Sequence, residues 1–328
     1  MLLLAAVCAL VLLIVIIAVR YAIVFPRQPF AGPLPEIGEE AAILAQRLEA
    51  HVTAVASTPH NLDTYPALEA AARYIEDTLS ASGLTPQAQV FKVAGKPVRN
   101  IELVWEPPGA THLTPTIVIG AHYDSPQEGP GANDNGTGVA AALELARRLA
   151  NLAPASRRLR IAFWVNEEQP YGKSPDMGSW QHAKALRDRR ENIEGMIALE
   201  TIGYFSDEPG SQDFPAPFGF IYPDTGNFIA FVGLPGSRTF LRRALSIFRA
   251  HAKFPSIGGV VPGFVEGADL SDHWAFHHFG FPSLMVTDTA PFRNPYYHEP
   301  DDLPETVDYE SLARVTLGLE KMLRGLVT

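Results

Sequence analysis

The chain has 328 residues, 47% hydrophobic and 19% charged, enough apolar matter for one sizeable core in an ordinary globular composition. Its net charge is −10, with 26 Lys and Arg and no dense basic cluster, so no nucleic acid partner is expected. A single cysteine, Cys8, excludes an intrachain disulfide and a cysteine-built zinc site; any metal must be held by His, Asp and Glu.

In chain order, Leu2 to Val19 is an apolar run without a charge, resuming after Arg20. Its length fits a spanning helix better than the shorter apolar region of a signal peptide. No Lys or Arg precedes it and no clean small-x-small cleavage site follows. Residues 1–25 are therefore expected to form an uncleaved anchor in a lipid bilayer, with a cleaved signal peptide as the alternative. Arg20 and Arg27 are a weak positive-inside vote for a cytoplasmic domain. Pro26 to Pro35 reads as a short stiff linker, and 36–328 as one domain.

Within that domain the periodicity predicts helices over Glu36–Ser57 and Ala67–Ser80, strands over Arg99–Trp105 and Thr116–Gly120, and a helix over Gly138–Leu149. Strands follow at Leu159–Val165, Met196–Glu200 and Phe218–Tyr222, then a helix over Arg238–His251, a strand over Ser283–Val286 and a last helix over Tyr309–Leu326. This alternation predicts an α/β fold, a mixed, largely parallel central sheet flanked by helices.

Most candidate site residues stand just past a predicted strand, where open α/β sheets bind ligands. His122 and Asp124 follow Thr116–Gly120. A ligating imidazole commonly passes its other N–H to a carboxylate, although a surface His beside a turn Asp is the plainer reading. Asp134 sits among glycines at a helix start; an Asp cap explains it but not the glycine density. Glu167 and Glu168 end another strand. As neighbours in extended chain they point to opposite sides and can take different jobs, yet a solvated acidic pair would look the same. Glu200 ends Met196–Glu200, and His298 lies in a loop. Together His122, Asp134, Glu168, Glu200 and His298 give two imidazoles and three carboxylates. That is the set two zinc ions need when they share one bridging carboxylate.

The motifs Gly-Ala-His-Tyr-Asp-Ser (120–125), Gly-Ala-Asn-Asp-Asn-Gly-Thr-Gly (131–138), Asn-Glu-Glu (166–168), Leu-Glu-Thr-Ile-Gly (199–203), Ser-Asp-His (271–273) and Tyr-His-Glu-Pro-Asp-Asp (297–302) carry a resemblance. Over roughly Leu48 to Glu320 the chain resembles the two-zinc aminopeptidases of the aminopeptidase Y and bacterial leucyl aminopeptidase type. The resemblance implies a zinc exopeptidase fold and cleavage of the N-terminal peptide bond of peptides with a free N-terminus. It implies Asp134 as the bridge, His122 and Glu200 completing one site, and Glu168 and His298 the other. Glu167 would be the general base toward a zinc-activated water, and Asp124 the orienting partner of His122. It also implies a cis Asp134–Asn135 peptide. The chain departs from the family at Glu200, where many members have Asp, and at Ala268, where some have a transition-state-stabilising Tyr; Tyr297 is the residue proposed for that work here. Cobalt and manganese suit the same donors as zinc. Relatives mostly act outside the cytoplasm, which favours an extracytoplasmic, membrane-anchored domain. The rival readings are a single-zinc glutaminyl cyclase and a non-catalytic peptidase-like ectodomain.

Overall fold

The structure, a computed structural model, describes residues 2–328, with the side chains of residues 4, 7–11, 13, 14, 17 and 19 onward. Eight helices and eight strands are described: α1 Leu2–Ile23, α2 Glu39–Val55, α3 Tyr65–Ala81, β1 Gln87–Val93, β2 Lys96–Trp105, β3 Thr116–His122, α4 Thr137–Arg148, β4 Arg158–Trp164, α5 Gly178–Asp188, β5 Ile193–Glu200, β6 Ile229–Gly233, α6 Arg238–His251, β7 Ser256–Val260, α7 His273–His278, β8 Ser283–Thr287 and α8 Tyr309–Val327.

The strands form one sheet in the order β1-β2-β4-β3-β5-β8-β6-β7. Its centre, β4-β3-β5-β8, is parallel, while β1, β2 and the β6–β8 pairing are antiparallel, so the sheet is mixed as expected. β3 and β4 are buried along their whole length, which is why they read as continuous apolar runs rather than alternating ones. Gly120 is required between them: an added Cβ would lie 2.0 Å from the Ala162 carbonyl oxygen. α2, α4, α6 and α8 pack on one face through Leu44, Leu48, Leu145, Leu241 and Leu319. α5 and α7 cover the other through Ala183 and Phe276.

Three differences from the sequence expectation have physical causes. Phe218–Tyr222 is a single 3₁₀ turn, not a strand; Pro215 and Pro217 remove donors, and Phe218 stacks on Tyr222 with ring centroids 6.4 Å apart. β1, β6 and β7 went unread because β1 is an exposed edge rich in Gln, and the others are five residues each, β7 with Gly258-Gly259 at its centre. Residues 26–35 do not stand off as a stalk. Arg249 donates to the carbonyl of Arg27 at 2.9 Å and Arg314 to that of Pro35 at 2.7 Å, so the segment is strapped to α6 and α8.

The anchor expected over 1–25 falls partly on residues outside the described ones. Among the described residues no helix is long and apolar enough to cross a membrane. α1 is nevertheless a helix with exposed Leu4, Leu10, Val11, Leu13, Ile14 and Ile17, and Phe25, just beyond it, is buried in the core of the domain.

Candidate metal centre

The parallel strands deliver the site at their C-terminal ends. His122 is the last residue of β3 and Glu200 the last of β5; Glu167 and Glu168 lie just beyond β4. Asp134 comes from the turn Ala132–Gly136 leading into α4, and His298 from the loop between β8 and α8. Asn166, Thr201 and His298 have φ of 60°, 45° and 60°, left-handed conformations unusual for non-glycine residues. All three lie where ligand-bearing chain turns out of the sheet or into the cleft loops. The Asp134–Asn135 peptide is cis, as the resemblance implies.

The five expected ligands converge. His122 Nε2 lies 3.3 Å from Asp134 Oδ1 and 3.4 Å from Glu200 Oε2. His298 Nε2 lies 3.0 Å from Asp134 Oδ2 and 3.5 Å from Glu168 Oε2. Asp134 thus faces one imidazole with each oxygen. The donor atoms of His122, Asp134 and Glu200, and those of Asp134, Glu168 and His298, lie within 4.8 Å of one another. His122 Nε2, Asp134 Oδ1, Glu168 Oε1 and Glu200 Oε2 are buried without a hydrogen-bond partner. Buried polar atoms left so are costly unless a cation satisfies them, so this donor set fits metal. Histidine and carboxylate donors suit zinc.

Electrostatics point the same way. Burial, reinforced by neighbouring carboxylates against the His122 imidazole, pushes Glu167 up to about 8 and Glu200 up to about 7, and raises Glu168 well above its ordinary value. Burial lowers His122, but the charge of Glu200 and the close carboxylates of Asp124, Asp134 and Glu200 outweigh it and raise the imidazole well above its ordinary value. A bound cation would relieve this repulsion among like charges.

Asp124 stands beside His122 Nδ1 and also takes on other partners. His122 Nδ1 donates to the Asp124 main-chain carbonyl at 3.0 Å, while the Asp124 carboxylate stands 3.6 Å away. That carboxylate instead accepts the amides of Glu167 and Glu168, each at 3.1 Å. The imidazole tautomer is still fixed, leaving the Nε2 lone pair for a metal. The same two amide bonds explain why Glu167 and Glu168 do not point to opposite sides. β4 has ended, Asn166 turns the chain, and both carboxylates reach the cleft, Glu167 Oε2 lying 4.0 Å from His122 Nε2.

Tyr297 is stacked on His298 with ring centroids 4.0 Å apart. Burial and the surrounding carboxylates Asp134, Glu200, Glu168 and Glu167 raise its hydroxyl far above the usual phenol range, so it remains a donor. Sequence reasoning missed the residues that hold the loops. Asp302 accepts the amides of Asn133 and Asp134 at 2.9 and 3.0 Å. Asp288 accepts those of Gly203 and Tyr204 at 3.1 and 2.8 Å. Asn135 ties the Asp134 turn to β5, donating to the Leu199 carbonyl at 2.8 Å. Asp272, in the Ser-Asp-His motif, is wholly buried, with both carboxylate oxygens unpartnered among the described residues.

Beside Glu200 and Tyr297 opens an apolar cleft lined by Phe214, Phe218, Tyr222, Ile257, Met285 and Phe292 among others.

The pattern of Peptidase family M28 matches residues 100–322. The chain belongs to that family. Escherichia coli YfbL is 34% identical over 307 residues, covering 90% of this chain and 92% of that protein. Leupeptin-inactivating enzyme 1 of Streptomyces exfoliatus is 28% identical over 264 residues, 77% of this chain and 55% of that enzyme. Among solved structures, an aminopeptidase from Aneurinibacillus sp. strain AM-1 superposes with a TM-score of 0.62 at 18% identity, covering 85% of this chain and 93% of that one. A Fimbriiglobus ruber glutaminyl cyclase gives 0.62 at 17%, covering 92% and 99%. At these identities the superpositions show a shared fold. As an M28 chain the protein is a zinc-dependent metallopeptidase, and peptides are its substrates.

Proposed function

We propose that this M28 chain is an aminopeptidase that holds two zinc ions, one by His122, Asp134 and Glu200 and one by Asp134, Glu168 and His298. The observation that carries this reading is Asp134, whose two carboxylate oxygens each face a different imidazole at 3.3 and 3.0 Å. Zinc in such a site supplies Lewis acidity, polarising a carbonyl and bringing the pKa of a ligated water to about 7.

The chain's own groups supply the rest. Glu167, with no metal assigned to it, takes the proton of the attacking water and passes it to the leaving amine. The Tyr297 hydroxyl, kept protonated by its acidic surroundings, donates to the carbonyl oxygen as negative charge develops there. The carboxylates at the cleft receive the free α-amino group, which gives exopeptidase selectivity. The apolar cleft beside Glu200 accepts the N-terminal side chain, so large apolar residues such as Leu and Phe are preferred.

The test is mass spectrometry of paired peptides, free or acetylated at the N-terminus, with the zinc-loaded full chain and a Glu167→Gln control. Stepwise loss of residues from free peptides alone, slowed about 10²–10⁴-fold in the control, is expected. Loss of ammonia from N-terminal glutamine without cleavage would make the chain a cyclase. A metal-loaded chain inert toward both would make it a binding domain.

We also propose that α1 anchors the protein in a membrane, with the catalytic domain outside the cytoplasm. The support is a helix without charge before Arg20, bearing exposed apolar side chains. Release of the chain from membranes by alkaline carbonate would overturn the anchor.

A further inference from the structure

Glu167 and Glu168 leave the sheet on the segment 166–177, which joins β4 to α5. The two ends of that segment meet. The amide of Gly178, the first residue of α5, donates to the carbonyl of Val165 at 2.7 Å, just past the end of β4. Asn166 alone separates Val165 from Glu167, so whatever fixes this neck also fixes the direction in which Glu167 sets out.

Asn100 closes the neck from β2. Its Oδ1 accepts the Val165 amide at 3.3 Å, and its Nδ2 donates to the Gly178 carbonyl at 2.8 Å. Nδ2 also donates to Oε1 of Gln89, the cross-strand neighbour on β1, at 2.9 Å. The backbone ladder between β2 and β4 runs out where Ile101 faces Phe163, so this buried side chain takes over where main-chain pairing stops. The neck presents it with one N–H and one C=O, the pair of groups that a carboxamide satisfies together. An ionised Asp has no donor for the carbonyl, and an apolar side chain leaves both groups buried and unpaired. Gly178 is fitted to the same contact: a Cβ there would lie 2.2 Å from Asn100 Oδ1 and 2.6 Å from the Val165 carbonyl oxygen.

Other contacts seat α5 without Asn100. The Trp164 indole donates to His182 Nδ1 at 3.0 Å, and Ala183 and Leu186 share one apolar cluster with Ala162 and Trp164. Within the segment, the amides of Tyr171 and Gly172 close on the Glu168 carbonyl at 2.9 and 3.0 Å. Loss of Asn100 therefore loosens the neck and leaves the helix in place. The two carboxylates then differ in what still holds them. Glu168, as a metal ligand, is held through its carboxylate. Glu167 keeps only its amide on Asp124 and depends on the path of the chain leading to it.

We propose that Asn100 is a positioning residue for the reaction, setting the neck of the 166–177 segment and through it the aim of Glu167. The inference rests on the reading of Glu167 as the general base. A misplacement of about 1 Å, set off away from the chemistry, costs about 10²-fold in rate.

The test uses Asn100→Ser, too short to bridge both groups, and Gly178→Ala, which presses on the same contact from the other side. Each is made in the full chain, alone and combined with Glu167→Gln. Gln89→Leu removes a bond of Asn100 that does not reach the neck, and serves as control. Turnover of leucine p-nitroanilide by the zinc-loaded chains is measured together with zinc content and melting temperature. In Asn100→Ser, kcat should fall about 10²-fold with KM within about 3-fold of wild type. Zinc content should stay at the wild-type level, and Gln89→Leu should turn over normally. In the Glu167→Gln background the same substitution should cost less than about 3-fold, because a base already lost cannot be misaimed. Gly178→Ala carries the same comparison if Asn100→Ser fails to fold. An equal loss in both backgrounds, a loss of zinc that accounts for the fall, or wild-type kcat in the neck variants would overturn the positioning role and leave Glu167 as the base. Wild-type turnover by Glu167→Gln itself would remove the base, and this inference with it.

Discussion

Asp134 offers one oxygen to His122 and the other to His298, and its own amide is held by Asp302 at 3.0 Å. A ligand shared between two ions, as proposed, would couple both halves of the centre, so Asp134→Ala should weaken metal binding overall rather than at one position. Ligand-orienting groups alone commonly contribute 10–100-fold to affinity; loss of the shared ligand is expected to cost at least about 100-fold, with activity lost alongside. Metal content after gel filtration, measured by plasma mass spectrometry, is the readout, and wild-type content in the variant would refute the shared ligand. The candidate ligands His122, Asp134, Glu168 and Glu200 were legible in the sequence because their motifs follow an apolar strand or open a helix, whereas His298, in a loop, was read only as a member of the set. Asp288 and Asp302 were not, because their work is to hold backbone amides of Gly203, Tyr204, Asn133 and Asp134, which only the folded chain brings near them. The further partners of the Asp124 carboxylate, the amides of Glu167 and Glu168, were missed for the same reason: they lie far along the chain.

Among the elements, α4 carries most weight, running from the Asp134 turn into the core with a buried acid on its flank. Glu144 accepts from Arg147 at 2.7 Å and Arg47 at 2.8 Å, with His51 Nε2 at 3.3 Å, tying α4 to α2. Burial raises its carboxyl, but His51, Arg147 and Arg47 together outweigh burial and hold it at about 2 instead of its ordinary 4.5. A carboxylate depressed on folding contributes stability that is fully present above its unfolded value and is lost as pH falls through the folded one. The drop from 4.5 to about 2 corresponds to about 3 kcal/mol, fading between those pH values. Glu144→Gln is therefore expected to cost about 3 kcal/mol at pH 7 and much less near pH 2. Urea unfolding at the two pH values checks this, and a difference that did not shrink with acid would deny the carboxylate its role. Long helices such as α4, α6 and α8 were legible from their apolar stripes. The short strands β6 and β7 and the turn at Phe218 were not, because an apolar run of five residues carries no period that separates strand from turn.

At the scale of the whole molecule, the sequence suggested a linker over 26–35 and a domain from residue 36. Residues before 36 nevertheless pack on the domain. Phe25 is only 9% exposed, and its ring fills the space over Gly258, which has no side chain of its own to fill it. Arg249 donates to the carbonyls of Pro26 and Arg27, and Arg314 to that of Pro35. A chain starting at Pro35 loses the ring and leaves Arg249 without those acceptors. A chain starting at Val24 keeps both while discarding α1. Burying one Phe side chain is worth about 1.5–3 kcal/mol, and the half-exposed arginine contacts add less. The shorter chain should melt several degrees below the longer one, about 2–4 °C for each kcal/mol in a domain of this size. Phe25→Ala in the longer chain should reproduce most of that loss. If both chains melted together, the strap would be a surface accident, and the domain would begin at α2 as its sequence reads.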